Sequence, residues 1–146
     1  MKYRISINDF RMMKDKKGMM KYDLENRLID FAVDIVKLTE SLPRSATGKY
    51  ITGQIIRSGT SPALNYGEAQ SAESRKDFVH KLKIVVKELR ETLVALKIIH
   101  RIEINPIIQE VTNLITENNE LISIFVKSIE TASYNDKLPT SKIINR

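Results

Sequence analysis

Apolar residues recur along the chain at spacings of three and four, the signature of helices that bury one face. Leu24, Leu28, Phe31, Ala32, Ile35 and Leu38 (or Thr39) share the first such face, behind Asp23 as N-cap. This helix should stop at Leu42-Pro43, because proline disfavours helix in the residue before it. A second helix is predicted from about Thr47 to Ala69 with Pro62 inside it, and so with a kink around Ser58–Pro62. In the third, Ser74 and Asp77 resemble a capping box, followed by a seam of Phe78, Leu82, Val85, Leu89, Thr92, Leu96 and Ile99 that ends near Ile102. Asn105-Pro106 reads as an N-cap with proline at the first helical position. The fourth seam then takes Ile108, Val111, Ile115, Asn118, Ile122, Phe125 and Ile129 to about Thr131, with Asn118 its one polar member. The connections Pro43–Ala46, Gln70–Glu73 and Glu103–Ile104 are short, so successive helices must run antiparallel. The expected fold is all-α: an up-and-down antiparallel four-helix bundle with a kinked second helix.

Composition fits this pattern. The 146 residues include 5 Gly, 4 Pro and 42% apolar residues, enough for one core and too few turn formers for a dense β fold. With no Cys, disulfide frameworks, thiolate metal sites and cysteine nucleophiles are excluded. No apolar run reaches the roughly 18 residues of a membrane span. The opening MKYRISINDFRMMKDKKGMM lacks the apolar core of a signal peptide, so a cytoplasmic protein without membrane association is expected.

Charge divides the chain into three parts. Residues 1–21 carry seven Lys/Arg against two Asp and form a basic N-terminal extension. The bundle, 22–132, is nearly balanced, with 14 basic and 15 acidic residues, and the C-terminal tail, 133–146, has three basic against one acidic. Such ends either bind nucleic acid or simply keep the chain solvated.

Catalytic patterns are missing. His80 and His100 lie about 30 Å apart on one helix and read as surface residues that cannot share a metal. There is no Glu-x-x-His pair for a di-iron bundle and no GxxxxGK phosphate loop, Thr47-Gly48-Lys49 being too short a match. A protein that is not an enzyme, with no metal and no cofactor, is expected.

Two polar stripes remain. On the second helix Gln54, Ser58, Ser61, Asn65 and Glu68 step by four and three, with Arg57 beside them, where a bundle usually places leucine. They either face water or form a polar network inside the bundle or between subunits, fixing register more than adding stability. On the third helix Lys76, Lys83, Lys87, Arg90, Lys97 and Arg101 fall within an arc of about 80°, away from the apolar seam, over roughly 37 Å. Segment 75–101 holds eight basic residues against three acidic ones, between helices that are each net acidic. Such a stripe suits the phosphates of RNA or DNA, giving affinity with little sequence choice. It suits ion pairs within or between subunits equally well. The aromatic interleaving of a single-strand binder is absent.

The run Gln54-Ile-Ile-Arg57-Ser-Gly-Thr-Ser61-Pro-Ala-Leu-Asn65-Tyr-Gly-Glu68-Ala, with Ser74-Arg-Lys-Asp77-Phe78 and Lys87-Glu88-Leu-Arg90-Glu91-Thr92, resembles a bacterial family. Its members are four-helix-bundle proteins encoded in intervening sequences of 23S rRNA genes, and the resemblance spans about 24–130. It implies an up-and-down bundle assembled as a homopentamer, without known catalytic activity and of unknown function. A related bundle, the accessory protein of diversity-generating retroelements, is a basic pentamer that works with nucleic acid. The basic extension is longer than the family pattern, and the near-neutral body is weakly charged for a dedicated nucleic-acid binder. The expectation is therefore an oligomeric bundle that binds nucleic acid through the third-helix stripe. The alternative is a protein-interaction or scaffold module whose charges serve subunit pairing.

Overall fold

A computed structural model describes residues 24–104 and 106–136. Four helices follow one another: α1 Leu24–Glu40, α2 Ala46–Ala69, α3 Arg75–Ile102 and α4 Ile108–Asp136. Each packs mainly on its neighbours in sequence, and α4 also returns to α1, closing a four-helix bundle. The basic extension 1–21, the Asp23 cap, Asn105 and the tail beyond Asp136 lie outside the described residues.

The core is where the 3.6-residue period places it. Leu28, Phe31 and Ile35 of α1, Ile55 of α2, Leu82, Val85, Leu89, Leu96 and Ile99 of α3, and Val111, Leu121 and Phe125 of α4 are fully buried. Each large side chain of this kind contributes about 1.5–3 kcal/mol by leaving water. Tyr66 and Phe125 meet edge-on across the bundle, ring centroids 5.6 Å apart.

The helix ends follow local chemistry. Ser45 caps α2 by accepting from the Gly48 amide, a signal that the start predicted at Thr47 overlooks. Ser74 accepts from the Asp77 amide at 3.0 Å, as its spacing predicts. α3 stops because Glu103 turns into the left-handed region, φ 57°, an unusual conformation for a residue with a Cβ. Pro62 is buried within a helix that runs without interruption from Ala46 to Ala69.

The fourth helix departs from expectation in three ways. Pro106 lies in the turn ahead of α4 instead of at its first position, and the first helical bond runs from the Val111 amide to the Ile107 carbonyl. The helix continues to Asp136, past Thr131. Its buried face takes Leu114 and Leu121, while Ile115, Ile122 and Ile129 are only partly buried beside it. Both apolar rows share Val111, Asn118 and Phe125, and periodicity alone does not choose between them.

Two glycines hold α2 close to what precedes it. A Cβ on Gly48 would overlap the Pro43 carbonyl oxygen, so the loop and α2 meet only if this residue has no side chain. Gly59, in the middle of the helix, does the same for α1.

Candidate nucleic-acid interface

α3 presents Lys76, Lys83, Lys87, Arg90, Lys97 and Arg101 to solvent on one outward face, because the opposite face is spent on the Phe78–Ile99 core. None of the six makes an ion pair or a side-chain hydrogen bond among the described residues. Val94, 57% exposed, sits among them, with Ile98 and Ile102 exposed alongside. His80 and His100 are exposed. Among the described residues no group of three or more His, Cys, Asp or Glu could hold a metal ion.

The α2 polar stripe divides into parts with different roles. Arg57 reaches across to α3, with Nη1 donating to Glu88 Oε2 at 3.2 Å and Nη2 2.8 Å from Glu91 Oε2. The hydrogen bond and charge of Arg57 hold the Glu91 carboxyl below its ordinary range, and Glu91 in turn raises the Arg57 guanidinium. Glu88 is the inner partner, its side chain only 10% exposed, and its main-chain carbonyl accepts from the buried Thr92 hydroxyl at 2.8 Å. Further along, Lys81 of α3 donates to Glu68 at 2.8 Å.

The other members of the stripe stay on their own helix. Asn65 Nδ2 donates to Ser61 Oγ at 2.9 Å and to the Ser61 carbonyl at 3.0 Å. Ser58 is buried with its hydroxyl unpartnered, and Gln54 is exposed. The stripe thus runs along the α2–α3 seam: two ion-paired bridges at its rim, one buried hydroxyl inside.

Sequence reasoning missed two features here. The acidic partners of Arg57 are Glu88 and Glu91, three apart on α3, a spacing that signals a shared face but not which helix it meets. Asn118 is fully buried with both amide atoms unpartnered, although its place in the apolar seam was legible.

A four-helix bundle with a polar α2–α3 seam and an outward basic face on α3 defines the class. Residues 20–127 match the family model of the 23S rRNA-intervening sequence protein, and the chain belongs to that family. Among solved structures it is similar to a protein of unknown function from the S23 ribosomal protein family of Bacteroides thetaiotaomicron VPI-5482. The two share 33% identity with a TM-score of 0.66, over 72% of this chain and 96% of that one. No curated protein matches this chain. No helix among the described residues is long and apolar enough to cross a membrane.

Proposed function

We propose that this protein is a non-enzymatic, oligomeric helical bundle that binds the phosphate backbone of RNA or DNA through the outward face of α3. The observation that carries this reading is that all six stripe cations are exposed and make no ion pair among the described residues. Of the carboxylates nearest that face, Glu88 and Glu91 share Arg57, with the charge of Lys87 also acting on Glu91, and Glu68 pairs with Lys81. A row of exposed cations on a straight helix gains free energy by displacing counterions from a polyphosphate. Assembly, as a homopentamer in this reading, would multiply the row around a ring and raise the avidity of individually weak contacts.

A second reading has its own support. Val94, Ile98 and Ile102 expose apolar surface within and beside the stripe, which suits a protein-interaction or scaffold module whose cations pair with a neighbouring subunit.

One experiment separates them: a salt-dependent titration of generic RNA and DNA duplexes, with light scattering on the same samples. Lys83→Gln, Lys87→Gln and Arg90→Gln together should weaken binding and flatten the logarithmic salt slope by about one unit per lost phosphate contact. Oligomer size should not change. Absence of binding at low salt, with an oligomer that these substitutions dissociate, would establish the scaffold reading instead.

A further inference from the structure

Two bridges set the antiparallel register of α2 against α3: Arg57 with Glu88 and Glu91, and Glu68 with Lys81. A step of seven residues, about 10.5 Å of helix, returns to nearly the same face. Taken from the Arg57–Glu91 bridge towards the start of α2, that step reaches Tyr50 on α2 and Ile98 on α3. Tyr50 therefore stands to Ile98 as Arg57 stands to Glu91, level with it and on the same outward side of the seam. Tyr50 is 68% exposed, and Ile98 and Ile102 are each half exposed.

This ring borders the cations of α3. Arg101 follows Ile98 by one turn, Val94 precedes it by one turn, and Lys97 and Arg90 continue the row. Gln54, one turn along α2 from Tyr50, is exposed as well, and its amide can both donate to and accept from the edge of a base. Single exposed apolar side chains are commonplace. Here an aromatic ring, aliphatic neighbours and a row of cations share one level of the seam.

A continuous duplex satisfies only the cations, because its bases are paired and stacked on one another. An unpaired nucleotide brings both an open π-face for the ring and a phosphate for the row. We propose that the rim between α2 and α3 takes unpaired nucleotides. A base stacks on Tyr50 beside Ile98, and the backbone phosphates follow Arg101, Lys97 and Arg90 along α3. The aromatic group that α3 lacks on its surface, its Phe78 being buried, is supplied by the neighbouring helix. This inference rests on the phosphate-binding reading of α3 and adds the form of the nucleic acid: single strands, loops or bulges in preference to continuous duplex.

The test compares oligo(dT) and oligo(rU) with a mixed-sequence DNA duplex of the same length, titrated against the full chain at low salt. A duplex has the higher charge density, so phosphate contacts alone favour it. With a stacking site, the single strands should bind at least as tightly. Tyr50→Leu keeps apolar bulk but removes the ring, and should weaken single-strand binding about fivefold or more while leaving duplex binding unchanged. Tyr50→Phe keeps the ring and should retain the affinity. Tyr134→Ala, which removes an exposed tyrosine from the far end of α4, should change neither. Single-strand binding that Tyr50→Leu leaves intact would overturn this proposal and leave the phosphate-binding reading standing. Equal losses for strand and duplex, or an oligomer that Tyr50→Leu dissociates in light scattering, would overturn it too, making Tyr50 a structural or subunit contact. No binding of any of the three nucleic acids would remove both readings together.

Discussion

Gly59 of α2 lies directly against Ile35 of α1: a Cβ built on the glycine would fall 2.8 Å from Ile35 Cγ2. Ile35 is fully buried, so it has little room to withdraw. The glycine therefore sets the spacing of the two helices, despite the helix propensity that it costs.

Gly59→Ala is accordingly expected to destabilise the bundle by about 1–3 kcal/mol, the usual cost of overpacking a core, even though alanine is the better helix former. Ile35→Ala removes Cγ1 and Cγ2, the atoms that the added methyl would meet, so the two changes together should cost less than the sum of their separate losses. Urea melts of the two single variants and the double variant measure this. Strictly additive losses would mean that the glycine and isoleucine do not compete for the same space.

Arg57 has a different kind of neighbour. Removing it leaves Glu88, with a side chain only 10% exposed, facing a seam without its cation. Arg57→Ala should lower the melting temperature, and Glu88→Gln in that background should restore part of it, because the amide carries no charge to strand. Lys97→Ala, on the exposed face, should do neither. Two unchanged melts for Arg57→Ala and Lys97→Ala would show that the bridge is a solvated surface pair of little weight.

How much of this was legible beforehand depends on how many faces a helix leaves open. The seam Phe78–Ile99 of α3 could be read from spacing because the residues opposite it are charged, leaving one possible inner face. On α4 the rows through Leu114 and through Ile115 are both apolar, and the choice between them is made by where α3 and α1 stand. The same holds for the α2 stripe. Its polar spacing was plain, but Arg57 finds Glu88 only once the register of α2 against α3 is set, and that register depends on the turn at Gln70–Ser74. For the stripe of α3, exposure was legible from the arc, whereas the absence of partners for its cations required the positions of all four helices.

Asn118 offers the reverse of a stabilising polar contact. It is fully buried and neither of its amide atoms has a partner among the described residues, so it carries a desolvation penalty that none of them offsets. Asn118→Leu, close in size, should raise stability by about 1–3 kcal/mol in urea melts. An internal water bonded to the amide would shrink or reverse that gain, and amide-to-water cross-relaxation at this residue would report it.

Tyr66 supplies a prediction whose sign follows from burial. Loss of solvent, reinforced by the charge of Glu25 and partly offset by a hydrogen bond with Gln70, pushes its phenol up to about 12 from an ordinary 10. The folded state therefore keeps the proton over a range in which the unfolded chain has released it. Unfolding then releases a proton, and stability falls as pH rises from about 10 towards 12, by up to about 2–3 kcal/mol across that window. Below pH 10 the phenol is neutral in both states and contributes no slope. Denaturant melts between pH 9 and 12 should show this decline, and Tyr66→Phe should remove this phenol's share of it while keeping the edge-on contact with Phe125. If Tyr66→Phe declines as steeply as the parent protein, the alkaline loss comes from groups other than this buried phenol.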